Sequence, residues 1–196
     1  MSSIKLTADS GGGTFEIKAP ASGSNARVLS VPDSASGTVL TSKFGPAFAA
    51  RNNSAQTISN STTATMQFDV EYFDTDNCYN TSNYRFTPNV AGIYLINSSV
   101  QIASLTGIIS LDIRLNGARY ANMALNLNPT GLQTVTNSVL VSMNGSTDYV
   151  DIGIFQNSGG NKDTVASPSN NLVNHFSGCY MRGSAWLQIT LYIGEL

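Results

Sequence analysis

The sequence predicts an all-β fold, an antiparallel sandwich of the jelly-roll kind, and three observations carry that expectation. From Lys43 onward apolar residues recur at the two-residue period of strands, and no segment sustains the period of a helix, about 3.6 residues. Turn signals separate the runs at short intervals. Asn116-Gly117 is the strongest, because both residues tolerate the positive φ that a tight hairpin turn requires. Charged residues make up only 11% of the 196, and Ser, Thr, Asn and Gly take their place. That mix suits turns and hydroxyl-covered strands and leaves few ion pairs to support helices.

The chain opens with two short alternating pieces, Ile4-Lys5-Leu6-Thr7 and Phe15-Glu16-Ile17-Lys18, separated by Gly11-Gly12-Gly13. Ala19-Pro20-Ala21-Ser22-Gly23-Ser24 then breaks the chain. Val28, Leu29 and Val31 make a third piece, and Val39-Leu40 a fourth. None buries enough apolar surface to offset its own ordering entropy. Residues 1–42 are therefore expected to form an extended β arm ordered by other chains, ahead of a head over 43–183 and an added strand within 184–196.

Strands of the head are expected at 47–51, 65–73, 84–86, 92–102, 108–115, 118–125, 133–143, 149–156 and 174–181, with 185–193 as the added one. The stretch 66–100 organises them. Pro88, Asn89 and Gly92 punctuate the entry to its last run, and Asn144-Gly145 and Asn157-Ser158-Gly159-Gly160 mark later turns. Gly92-Ile93-Tyr94-Leu95-Ile96 and Val139-Leu140-Val141 are apolar at successive positions, so both strands are expected to be covered on both faces. The opposing sheet covers one face. A bare second face of that kind would aggregate, so a partner must cover it.

A net charge of −2 and a pI near 5.2 leave no cluster of Lys and Arg for phosphate, which excludes nucleic acid as a partner. An anionic membrane surface is disfavoured on the same ground. The opening residues lack the apolar core of a secretion signal, and no later stretch is long enough to span a bilayer. Synthesis in a cytoplasm without membrane insertion is the expectation.

Chemistry is sparse. His175 is the sole histidine and sits beside a polar loop, where a structural or exposed role is expected. Cys78 and Cys179 are expected to be free thiols, and with one histidine they cannot build a zinc site within the chain. Asp148 and Asp151 fall on opposite faces of one strand, so they make no glycosidase pair. No catalytic residue and no enzyme activity are expected. Asp74-Thr75-Asp76-Asn77 offers alternate oxygen donors on a tight loop, which makes Asp74 and Asp76 the calcium candidates. The loop lacks the glycine and distal glutamate of an EF-hand, so turn capping without a cofactor is expected. Tyr79, Tyr84 and Tyr120 lie next to turns and are the candidate ligand contacts, each offering a flat apolar face with a polar tip.

Pro46-Ala47-Phe48, Phe68-Asp69, Tyr79, Phe86, Pro88 and Gly92-Ile93-Tyr94-Leu95 form an ordered series. Asn116-Gly117, Ser138-Val139-Leu140-Val141, Asp148-Tyr149-Val150 and Phe176-Ser177-Gly178 continue it. Over about residues 44–183 this series resembles C1q-like domains, the globular heads of complement and related proteins. The resemblance implies a ten-stranded jelly roll of the C1q and tumour-necrosis-factor type, a tight homotrimer, and ligand-binding loops at its apex, where some members hold calcium. Phe68, Ile93, Tyr94, Leu95, Val139, Val141 and Phe176 are then the expected trimer-interface and core residues. Two features depart from the complement pattern: residues 184–196 run past the usual end, and no Gly-X-Y stalk precedes the head. The arm instead resembles the N-terminal attachment segments of bacteriophage fibre and decoration proteins. It implies a virion structural protein made in the host cytoplasm, a trimeric tail fibre or spike whose head meets a host surface glycan or protein. Residues 1–42 would contact other virion proteins. A capsid decoration protein and a free-standing C1q-like lectin are the alternative expectations.

Overall fold

The structure, a computed structural model, describes residues 3–7, 14–18, 45–103, 106–127, 131–167 and 172–183. The chain divides into two compact units, Met1–Thr41 and Ser42–Leu196. In the first, β1 (Ser3–Thr7) and β2 (Thr14–Lys18) form an antiparallel hairpin. Its register pairs Ile4 with Ile17, Lys5 with Glu16 and Leu6 with Phe15. The third and fourth pieces expected in the arm, and the strand expected at 185–193, lie outside the described residues.

The larger unit runs through β3 (Ala47–Arg51), β4 (Thr57–Ile58), β5 (Ala64–Thr65), β6 (Val70–Asp74), β7 (Tyr79–Asn80), β8 (Arg85–Phe86) and β9 (Gly92–Ala103). It continues with β10 (Gly107–Leu115), β11 (Ala118–Leu127), β12 (Leu132–Met143), β13 (Val150–Gln156), β14 (Lys162–Asp163) and β15 (His175–Arg182). One sheet has the order β12-β9-β15-β3-β6. The other has the order β11-β10-β13-β8-β7, with β5 paired to β13. The small β14-β4 pair stands apart from both. Neighbours distant in sequence, such as β9 and β15, make this a crossed-over sandwich rather than a meander. Among the described residues there is no helix, and so none long and apolar enough to cross a membrane.

Between the sheets lies one core. Its aromatic half centres on Phe48, which stacks on Phe86 at 4.4 Å and on Tyr79 at 4.8 Å between ring centroids, and meets Phe176 edge-on at 4.8 Å. Such contacts add to burial because ring quadrupoles favour offset and edge-to-face pairs. Its aliphatic half joins Ile96, Val100 and Ile102 of β9 to Ile109, Leu111 and Ile113 of β10 and Ile152 and Ile154 of β13, all buried. Asn116 and Gly117 both carry positive φ, 53° and 79°, so the expected hairpin turn joins β10 to β11.

One expectation needs correction. The strand expected over 65–73 is two strands in different sheets, β5 with β13 and β6 with β3. Between them the chain crosses the sandwich edge, and Met66 and Phe68 are buried while Gln67 and Asp69 are exposed. The alternation was real, yet a local period cannot say which sheet a residue pairs with. In β9 the inner-face residues Gly92, Tyr94, Ile96, Ser98, Val100 and Ile102 are buried, whereas on the other face Ile93, Leu95, Asn97 and Gln101 are half-buried and Ser99 is buried. Within one chain, then, the inner face of β9 is fully covered and the other face only in part.

Candidate functional site

The outer face of the five-stranded sheet, only partly covered, reads as rows set by register. Leu140, Leu95, Cys179 and Ala47 lie side by side on β12, β9, β15 and β3. The next row holds Ser138, Asn97, Ser177, Ala49 and Phe73, and a third holds Thr136, Ser99, His175 and Arg51. The face therefore grades from apolar to polar along the strands. Leu140 is 53% exposed, Phe73 51% and Met181 55%. Ile93 and Leu95 beside them are half-buried. Over the polar rows lies a shallow depression of about 540 Å³ lined by Asn97, Ser99, Thr136, Ser138, His175 and Ser177 among others. Ser138 Oγ donates to Asn97 Oδ1 at 2.6 Å there, and His175 Nδ1 lies 3.2 Å from the Leu172 carbonyl oxygen.

The residues expected at the interface or in the core divide accordingly. Phe68, Tyr94, Val141 and Phe176 are buried inside a single chain, and Val139 is half-buried against the same core. Tyr94 donates its hydroxyl proton to the Val90 carbonyl oxygen at 2.6 Å. Burial holds that phenol protonated well above the ordinary tyrosine range. Only Ile93 and Leu95 of the set sit on the open face.

The turn before β7 is built by its own side chains. Asp74 accepts the backbone N–H of Tyr79 at 2.7 Å and of Asp76 at 3.4 Å, and Asp76 accepts the Thr75 hydroxyl at 2.8 Å. Asp74 and Asp76 thus cap the turn. Among the described residues no group of three or more His, Cys, Asp or Glu converges as a metal site. Cys78 is buried behind this turn and Cys179 half-buried in the sheet, both as free thiols. Burial pushes the Cys78 thiol up, and the Asp74 and Asp76 carboxylates add to the shift against a backbone hydrogen bond that lowers it.

Among the three tyrosines expected to contact ligand, Tyr79 is corrected: it is 4% exposed. Its hydroxyl donates to the Phe68 carbonyl oxygen at 2.8 Å, and burial keeps it protonated. Its ring faces the core because its register partner is buried Phe86. Tyr84 is half-buried with φ of 60°, a conformation costly for an aromatic residue. Tyr120 is exposed, and its hydroxyl donates to the Leu140 carbonyl oxygen at 3.3 Å.

Sequence reasoning missed an ionic layer on the outer face of the six-stranded sheet. Asp112 accepts Arg119 Nε at 2.9 Å and also the Asn122 amide, and Asp151 accepts Arg114 Nε at 2.6 Å. Arg114 reaches on to the Thr65 hydroxyl at 2.7 Å. Arg85 stands 3.9 Å from Asp151 and lays its guanidinium over the Tyr149 ring, 3.9 Å from its centroid. Gly153 leaves room for Arg114 to lie flat, since a Cβ there would meet Arg114 Cδ at 3.2 Å. The available signal was Asp112 and Arg114 two residues apart in the run Ile108–Leu115, a spacing that puts both, with Ser110, on one face. Asp148 lies elsewhere, accepting the Asn144 N–H and the Asn116 amide in the turn, so it forms no pair with Asp151.

Residues 47–180 match the C1q domain family. Solved structures of the same fold include the globular domain of zebrafish complement 1qA protein, 14% identical, with a TM-score of 0.52 over 70% of this chain and 98% of that one. Eiger TNF from S. frugiperda is 11% identical, with a TM-score of 0.52 over 71% and 95%. Murine APRIL at pH 5.0 is 9% identical, with a TM-score of 0.55 over 70% and 99%. At such identities these structures share the fold and nothing finer. No curated protein matches the chain. The family match runs from the first strand of the sandwich to Tyr180 of its last, well over half of the sequence, and this chain belongs to the C1q domain family.

Proposed function

We propose that this chain is a non-enzymatic binding protein that works as a homotrimeric head. The observation that carries the reading is the open face of the five-stranded sheet, where Leu140, Phe73 and Met181 are exposed beside half-buried Ile93, Leu95 and Cys179. An apolar patch of that kind, spread over β12, β9, β15 and β6, calls for a protein partner. Domains of the C1q and tumour-necrosis-factor type commonly meet as trimers, which supports a second and third copy as that partner. Three heads brought together multiply weak single contacts into avidity. Sedimentation of the full chain at micromolar concentration is expected to give a stable trimer. A monomer at that concentration overturns the reading.

We further propose that the head is displayed on a bacteriophage particle, as a tail fibre or spike that contacts a host surface. Residues 1–42 serve as the attachment arm. The support is the compositional break near Lys43 and the β1–β2 hairpin, a two-stranded unit too small to be stable alone. A capsid decoration protein uses the same parts in another place, and a free-standing C1q-like lectin, with which the family match is compatible, is the third reading. An antibody to the head applied to intact particles separates them by labelling tail, capsid or neither. Full incorporation of a chain lacking residues 1–42 overturns the anchoring role.

A further inference from the structure

We infer that Arg51 and His175 hold a single oxyanion, a phosphate or sulfate group, at the polar end of the outer face of the five-stranded sheet. This goes beyond the reading of that face as a trimer contact, which rests on its apolar end.

Arg51 is a buried cation without an anion. The residue is only 8% exposed, yet the salt bridges among the described residues belong to Arg85, Arg114 and Arg119. Its Nη1 donates to the Ser167 carbonyl oxygen and, at 3.2 Å, to Asn53 Oδ1. The guanidinium carbon lies 5.8 Å from the centre of the Tyr72 ring. All three partners are neutral. Nε and Nη2 have no partner among the described residues. Asp69 is tied to the same corner, but it is exposed, and its Oδ1 accepts the Asn53 N–H at 2.7 Å. A charge withdrawn this far from water is costly unless an opposite charge meets it. The Nε–Nη2 edge is a pair of parallel N–H groups, a fork matched to two oxygens of one group rather than to a spherical ion.

His175 stands beside it. The two residues are direct partners in the β15–β3 register, which sets their Cβ atoms about 5 Å apart. Ser167 ties the corner together, since its Oγ accepts the Asn174 N–H at 2.7 Å and donates to the Asn174 carbonyl oxygen at 3.2 Å. His175 Nδ1 lies 3.2 Å from the Leu172 carbonyl oxygen, which can only accept. Nδ1 therefore carries the proton, and Nε2 is a bare lone pair in the neutral ring. A second proton turns Nε2 into a charged donor. The charged and titratable groups around the ring are Arg51 on β3, Tyr72 on β6 and Asp69 behind them; β9 and β12 present Ser99 and Thr136.

The adjoining depression supplies donors and no acid. Asn97, Ser99, Thr136, Ser138, His175 and Ser177 line it among others, without a carboxylate. Ser138 Oγ is spent on Asn97 Oδ1, which leaves the Asn97 amide nitrogen to donate. A cation finds no counter-charge here. A polyanion finds one fixed positive charge per copy, on a chain whose net charge is −2. One oxyanion neutralises Arg51 and takes its remaining contacts from amide and hydroxyl groups.

Isothermal titration of the full chain with sodium sulfate, inorganic phosphate and methyl phosphate reads the site, each against sodium chloride of equal ionic strength. Sedimentation records the oligomeric state of the same sample. Sulfate is expected to bind where chloride does not, and about fivefold more tightly near pH 6 than near pH 8, because its own charge is constant over that range. Binding of either phosphate supports the site, and the tighter of the two names a free ion or an ester as its source. Arg51→Gln is expected to bind sulfate about tenfold more weakly, and His175→Gln to lose the pH response. Arg85→Gln, an arginine of the other sheet, is expected to bind as the parent does. Circular dichroism records whether Arg51→Gln folds; if it does not, the His175→Gln comparison decides. Sulfate no tighter than chloride, a folded Arg51→Gln that binds as the parent does, or one pH response shared by parent and His175→Gln would each overturn the proposal. A trimer that ignores sulfate rejects this site alone, and a monomer that binds it in this pattern rejects the trimer and leaves the site standing.

Discussion

Leu140→Glu separates assembly from folding, because Leu140 is 53% exposed on the open face of β12 while its neighbours Val141 and Val139 point to the core. The folded monomer should hardly notice the change: a surface position this open shifts stability by about 0.5 kcal/mol or less. The trimer should notice it three times. Burying a whole leucine side chain stabilises by roughly 1.5–3 kcal/mol, so covering the exposed half is worth about 1 kcal/mol per copy. Three copies lose about 3 kcal/mol, near two decades in the association constant, before the cost of three buried and mutually repelling carboxylates is added. Sedimentation equilibrium across nanomolar to micromolar concentrations reads the association. Thermal melting by circular dichroism on a dilute sample reads the fold. The expected result is a monomer that melts where the dilute parent monomer does. A variant that remains trimeric would show that this face is not the interface, and one that fails to fold would show that Leu140 supports the core.

Three further outcomes follow from the geometry. Tyr94→Phe keeps the aromatic packing against Phe86 and Tyr180 but removes the 2.6 Å bond to the Val90 carbonyl oxygen, so urea unfolding should show a loss of about 1–2 kcal/mol; no change would mean water replaces the phenol. Gly178→Ala drives a Cβ to 2.8 Å from Ile96 Cδ1 and 2.9 Å from Phe48, and overpacking of this kind should cost roughly 1–3 kcal/mol in the same assay; an unchanged midpoint would mean that the two side chains move aside freely. Cys78 has a thiol raised above the usual 9.0, mainly by burial, so its folded form holds the proton more tightly than the unfolded chain does. Its contribution to stability is complete below the unfolded value and fades as pH rises through the folded one. Cys78→Ser should therefore flatten the decline in stability above about pH 9, and an identical alkaline slope in parent and variant would reject that contribution.

The sequence by itself determined the strand class and much of the punctuation. Asn116-Gly117 makes the β10–β11 turn because only such residues accept positive φ at both positions, and this is a property of the two residues wherever they stand. Short apolar runs bounded by turn residues likewise marked β9, β12 and β13, since strand length and punctuation are written in the residues themselves. Tertiary structure decided the pairing. β9 lies between β12 and β15 of the folded sheet, and nothing in the run Gly92–Ala103 says which distant segments will flank it. The stretch from Ala64 to Asp74 shows the same limit, because its alternation continues while the chain leaves one sheet for the other. Tyr79 beside a turn looked like a surface contact, and its burial follows from facing Phe48 across the sandwich, a neighbour distant in the sequence. The ionic layer was hidden for an equivalent reason. Asp112 and Arg114 share a face by local geometry, but their partners Arg119, Asp151 and Arg85 arrive from three other strands. A residue's own chemistry fixes the conformations it tolerates, whereas its partners are fixed by which faces must leave water together, and that is a property of the whole chain.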